Sequence, residues 1–108
     1  MNLRDLKWSA KEKRVAREAF DKAYKKEMRQ IQQAVYEKVK KFREENDVWE
    51  LHDFLSQTRK EIDEKYDYRY SVLIYVFARL MREGFITEED LKGLSEDKVL
   101  KIRGELNF

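Results

Sequence analysis

The sequence has no cysteine and no proline, and its 108 residues include only three glycines and one histidine. Without cysteine there is no disulfide framework, no zinc–cysteine site and no thiol nucleophile. One histidine and no cysteine exclude a Cys-His pair or a multi-histidine metal site within one chain. Di-iron bundles place a Glu three residues before a His; the residue three before His52 is Trp49. His52 and Asp53 are adjacent, and neighbours on a helix point about 100° apart, so they do not form a proton relay. No glycine-rich phosphate loop is present. The residues therefore predict a protein that is not an enzyme, with no catalytic residue, no metal and no cofactor. Long hydrophobic runs are missing too. The longest, Val72 to Ala78, is far too short to span a membrane. The opening MNLRDLKWSAKEKR lacks the apolar segment of a signal peptide, so a cytoplasmic location is expected.

Lack of proline also bears on fold. From Ala10 to Glu83 neither proline nor glycine interrupts the chain. A sequence that is 43% charged, with little period-two alternation, reads as all-α. It has one domain's length, no internal repeat and no low-complexity linker. Residues 1–108 are therefore expected as a single domain. A long helix is expected over about 9–45, with a second helix and a small helical head over about 47–105.

Several start and stop signals set those elements. Ser9 with Glu12 makes an S-x-x-E capping box. Beyond it Ala16, Phe20, Tyr24, Met28, Ile31, Val35, Val39 and Phe42 recur at steps of three or four. Such a helix would run about 50 Å, and the rest of the chain is too short to cover it. A homodimer through the long helices is the expectation. Asp47 and Glu50 suggest a second capping box. The helix after it, about Val48 to Lys65, carries an apolar stripe of Val48, Leu51, Leu55, Thr58 and Ile62, reaching Tyr66. Tyr66-Asp67-Tyr68 reads as a joint, with Asp67 placed to cap a third helix ending at Glu83. That helix is apolar on nearly every side and belongs at the centre of the core. Its polar edge holds Ser71, Tyr75, Arg79 and Arg82. Gly84 supplies a left-handed stop. Thr87 and Ser95 cap a short turn at Glu88–Lys92 and a last helix near Glu96–Arg103.

Net charge is only +2, but it is unevenly spread. Ala10–Arg43 holds twelve Lys and Arg against five Asp and Glu, or +7, while Glu44–Phe108 holds ten against sixteen, or −6. Charge complementarity between helices, or solvated faces, accounts for this simply. The sharper alternative is a basic surface for a nucleic acid or another polyanion. Against it, the basic residues are interleaved with Glu12, Glu18, Asp21, Glu27 and Glu37, and no reading motif is present. Nucleic acid is therefore not the expected partner.

The second helix also carries an arc of Trp49, His52, Asp53, Ser56, Arg59 and Asp63. A Trp beside an apolar stripe fits a core edge under a neighbouring helix. Trp and Arg among carboxylates also fit the centre of a protein interface. Asp53 and Arg59 lie six residues apart, which is not a same-helix pairing distance. Their partners are sought at His52, at Ser56, or on another helix or chain.

This region resembles the fluorescence recovery protein family. The resemblance is carried by W-x-L-H-D-F-L-S (Trp49 to Ser56), R-x-E-I-D-x-K-Y-D-x-R (Arg59 to Arg69) and S-V-x-I-x-V-F-A-x-L-x-R-E-G (Ser71 to Gly84). It implies a small, all-helical, dimeric protein that is not an enzyme. It implies binding to photoactivated orange carotenoid protein, faster return of that partner to its resting form, and its detachment from the phycobilisome. It also implies a partner-binding or dimer-shaping patch at Trp49, His52, Asp53 and Arg59, and a partner-binding head that includes Tyr75 and Lys101. Arg79 joins that head because it shares the polar edge with Tyr75. Tyr75 keeps an aromatic ring where family members often carry Phe. A family-like helical dimer with a different client is the alternative.

Overall fold

A computed structural model describes residues 6–107. Residues 1–5, on which the leader reading partly rests, and Phe108 lie outside the described residues. Four α-helices follow in order: α1 (Ala10–Lys40), α2 (Asn46–Lys65), α3 (Leu73–Arg82) and α4 (Glu96–Glu105). A 3-10 turn, Glu88–Leu91, joins α3 to α4. Among the described residues there is no strand, only an isolated bridge between Lys92 and Leu94.

The Ser9 capping box forms as the sequence predicts. Ser9 Oγ accepts from the Glu12 amide at 3.1 Å, and Glu12 Oε1 accepts from the Ser9 amide at 3.0 Å. The 31 residues of α1 span about 46 Å at 1.5 Å each. The helix stops at Lys40 rather than reaching Glu45. The Asp47 carboxylate is the cause. It accepts from the amides of Arg43 at 2.6 Å and Glu44 at 2.9 Å, so it ties down the corner behind it. Asp47 is thus not the cap of α2, which begins at Asn46 after Glu45 with no side-chain cap. Asp67 does not cap α3 either. Its carboxylate takes Arg69 Nε at 2.8 Å and Nη2 at 2.5 Å, and α3 starts later, after an uncapped Val72. Gly84 closes α3 with φ +83°, the left-handed conformation that glycine adopts without a Cβ clash.

The core sits at one end of the molecule. Leu73, Ile74, Phe77, Ala78 and Leu80 of α3 are all but inaccessible, as the all-round apolar pattern predicts. They pack with Trp8, Ala16, Ala19, Phe20 and Ala23 from the first half of α1, and with Phe85, Ile86, Leu91, Leu94 and Ile102. Three alanines on α1 leave room for close helix approach. Gly93 allows another close approach. A Cβ there would lie 2.7 Å from Val15 Cγ2, and φ is already +113°. This head anchors an arm made of the second half of α1 and α2. There the α1 stripe is no longer covered: Tyr24, Met28 and Val39 are exposed. The radius of gyration is 17.0 Å and the long axis 53 Å, whereas a compact chain of this length has a radius of about 13 Å.

Candidate functional site

The arm carries the first group of predicted residues. Along α2 only Ile62 and Lys65, in its last turns, are buried. Trp49 is 64% exposed, so it is no core edge within one chain. Its ring stands edge-on to His52, with centroids 6.2 Å apart. His52 Nδ1 lies 3.5 Å from Asp53 Oδ1, at the limit of a hydrogen bond. Arg59 Nε donates to both carboxylate oxygens of Asp63 at 3.2 Å. Asp53 and Arg59 therefore do not pair with each other, as their spacing required. Arg59 instead finds a partner four residues on, and an exposed pair of this kind is worth only about 0.3–0.5 kcal/mol. Beside the arc, a groove of about 340 Å³ runs between α1 and α2. Tyr24, Met28, Ile31, Leu55 and Ile62 line it, and Arg59 and Asp63 stand at it too. The patch thus adjoins apolar surface that one chain leaves open.

The second group lies on the head. Tyr75 is half-exposed in the first turn of α3. Arg79 follows one turn later on the same face, its Nε 2.8 Å from Glu83 Oε2. Lys101, on α4, is less open than its charge suggests. Its Nζ holds Asp97 at 2.5 Å, and its side chain is 15% exposed. Leu100 beside it is 52% exposed.

Between arm and head lies a joint that the sequence reading did not assemble. Lys65 Nζ sits 2.7 Å from Glu27 on α1 and 2.7 Å from Glu83 after α3, with its side chain only 5% exposed. Tyr66 Oη donates to the other Glu27 oxygen at 2.8 Å. Burial pushes the Tyr66 phenol up, and the Glu27 carboxylate raises it further. Burial also acts to raise the Glu83 carboxyl, but hydrogen bonds from Lys65 and Arg79 outweigh it and hold Glu83 below the usual range. A second buried pair, Glu12 with Lys98, closes the head. Both pairs put the acid on the basic helix and the lysine on the acidic remainder, opposite to the bulk charge trend. Lys22 with Asp90, at 2.6 Å, follows it. A sequence signal for the joint did exist: Lys65 follows Ile62 by three residues, on the apolar side of α2. A cation there requires buried carboxylates.

Among the described residues no group of acidic or histidine side chains is arranged to hold a metal, and no helix is long and apolar enough to cross a membrane. An elongated helical chain with exposed Trp, Tyr and Arg on open faces belongs to a class of small proteins that present surfaces rather than enclosed pockets. The chain is a member of the photoprotection regulator fluorescence recovery protein family, whose sequence model spans residues 8–104. It is 44% identical over 96 residues to the fluorescence recovery protein of Synechocystis sp. (strain ATCC 27184 / PCC 6803 / Kazusa), covering 89% of this chain and 88% of that one. The solved structure of the Fremyella diplosiphon fluorescence recovery protein superposes with a TM-score of 0.89 at 45% identity, over 94% of this chain and all of that one. The Synechocystis structure gives 0.89 at 41% identity over the same shares.

Proposed function

We propose that this chain binds photoactivated orange carotenoid protein, accelerates its red-to-orange relaxation and helps detach it from the phycobilisome, ending photoprotective quenching. Membership of a family of photoprotection regulators carries this reading. Open faces rather than an enclosed catalytic pocket fit it. The chain forms or breaks no bond in its partner. It lowers a conformational barrier by binding the intermediate geometry more tightly than the active state, and each 1.4 kcal/mol of that preference gives about tenfold in rate. Holding two partner domains together makes their reassociation effectively intramolecular. Tyr75, Arg79 and Lys101 dock the partner. Trp49, His52, Asp53 and Arg59 shape the dimer and, through it, the docking angle. The homodimer forms along the arm, where a second copy covers Tyr24, Met28, Val48 and Leu55. The long radius of gyration of one chain supports this. No nucleic acid, cofactor or integral membrane segment takes part. The protein works in the cytoplasm, at the thylakoid surface through its partner.

The test is optical. Purified orange carotenoid protein is photoconverted to its red form, the light is switched off, and absorbance recovery is followed with and without this chain. Acceleration at substoichiometric concentration is expected. Tyr75→Ser combined with Lys101→Glu abolishes it while helicity and melting are retained. Unaltered acceleration by that folded variant refutes the docking role of the head. No acceleration by the unmodified, folded chain refutes the function.

A further inference from the structure

At the end of α2 the arm meets the head, and one ammonium group there bridges the two. Of the 20 residues of α2 only Ile62 and Lys65 are buried. Lys65 Nζ contacts a carboxylate on α1 and another beyond the end of α3, each at 2.7 Å, so three segments meet at one charge. The Phe85 ring lies 5.2 Å from the same nitrogen. Each carboxylate has a second ligand that leads outward. Glu83 takes Arg79 of the head surface at 2.8 Å. Glu27 takes the hydroxyl of Tyr66 at 2.8 Å, and the Tyr66 ring packs edge-on against Tyr24 at 5.2 Å. Tyr24 lines the arm groove where Arg59 stands. Contacts therefore run without a gap from Arg79 on the head, through the joint, to the groove on the arm.

We infer that Lys65 is a positioning residue: gripped by Glu27 and Glu83, it fixes the angle between arm and head, so that a dimer joined along its arms presents its two heads to the partner at a set angle. A cation taken out of water is retained only where carboxylates satisfy it. Here those carboxylates come from the two segments whose relative placement matters. An apolar side chain at this position could fill the volume but would impose no direction, whereas two charged hydrogen bonds do. With the angle set beforehand, the second head of the dimer engages without a further ordering cost, which is how a linked pair of weak contacts gains affinity. The inference rests on the function proposed above only for the dimer and the identity of the partner. The geometry of the joint is tested without it.

Because the chain has no cysteine, nitroxide labels can be placed cleanly by Lys60→Cys on α2 and Glu96→Cys on α4, both exposed positions. Labelled protein is diluted into excess unlabelled protein, so that distances within one chain dominate. The clamp is removed by Glu27→Gln with Lys65→Met and Glu83→Gln, which leaves no unpaired charge buried at the joint; only the half-exposed Arg79 loses its carboxylate. The intact chain should give one narrow distance, and the triple variant a distribution at least ~2-fold wider. Equal widths overturn the inference. If the triple variant does not fold, Glu83→Gln alone keeps the Glu27 pair and should widen the distribution by less; no widening there overturns the inference as well. In the recovery assay the triple variant should need at least ~10-fold more protein for half-maximal acceleration, with the saturating rate retained. A widened distance with an unchanged half-maximal concentration makes the joint purely structural and overturns the positioning role. If the unmodified chain accelerates nothing, the functional reading fails, while the distance measurement still decides the joint.

Discussion

Acid should remove one identifiable part of this protein's stability, and Glu12 locates it. Its carboxylate accepts from the Ser9 amide at 3.0 Å, the Ser95 amide at 2.9 Å and Lys98 Nζ at 3.0 Å, with the side chain 11% exposed. Burial by itself raises the Glu12 carboxyl, but the two amides and the lysine outweigh it and bring it from 4.5 to about 2. A folded value below the unfolded one means stability that is fully present above pH 4.5 and lost as pH falls towards 2. At 1.36 kcal/mol per pH unit the fall amounts to about 3 kcal/mol, with roughly half gone near pH 3.2. Other carboxylates, such as Asp90 and Glu83, are also lowered and contribute to acid loss, so the absolute curve is not diagnostic. The difference between the unmodified chain and Glu12→Gln is. Urea unfolding followed by circular dichroism should show a gap of about 2–3 kcal/mol at pH 7 that closes between pH 4.5 and 2. A gap of constant size across that range would refute the reasoning. The double variant Glu12→Gln with Lys98→Met should lose less than the two single changes together, because it strands no buried lysine.

Three further outcomes follow from packing. Gly93→Ala should destabilise by about 2–3 kcal/mol in urea or thermal unfolding, combining a left-handed φ with overpacking, because its Cβ meets Val15 Cγ2 at 2.7 Å. Gly84→Ala, with φ +83° and nothing within 4 Å, should cost only about 1 kcal/mol. Leu55→Glu places a charge in the arm groove without touching the head core. Sedimentation at micromolar concentration should then show a monomer with unaltered helicity, and a retained dimer would move the proposed interface elsewhere.

The legible part of this fold was the part governed by periodicity and caps. Ser9, Thr87 and Ser95 cap where a hydroxyl or carboxyl three residues from an amide predicts, and α3 is buried because almost no face of it is polar. The misreadings share one cause. Asp47 and Asp67 are good caps by residue type, but each side chain was drawn to a nearer donor, Arg43 and Glu44 amides in one case and Arg69 in the other. Local spacing does not rank competing donors. The buried pairs were harder still. Glu27 and Lys65 lie 38 residues apart, and Glu12 and Lys98 lie 86 apart, so neither pairing is visible until the helices fold back. The same five acids that seemed to dilute the basic helix include two that anchor it. For the candidate site, type and spacing placed Tyr75 and Arg79 on one face and kept Asp53 from Arg59. Exposure of Trp49 depended on how much chain was left to cover α2, which no local pattern reports.

The distribution of burial gives the two halves of the molecule different physical characters. Phe77, Leu73, Leu80 and Leu91 are fully buried in the head, and losing any of their side chains to alanine would cost several kcal/mol, about 2–5 each. On the arm Tyr36, Val39, Val48, Trp49 and Leu55 are all exposed. A 20-residue helix such as α2 is marginal by itself in water, and α1 covers only one side of it. Its order therefore comes from the joint at Lys65 and from whatever covers the groove. A macromolecule that binds the arm stabilises it by mass action in proportion to its concentration over its dissociation constant. The head, by contrast, gains nothing it lacks. Apolar surface left open on a helix that has its own anchor is thus better understood as a docking face than as an unfinished core, and the residues beside it are the ones to alter when the aim is to change binding without unfolding the protein.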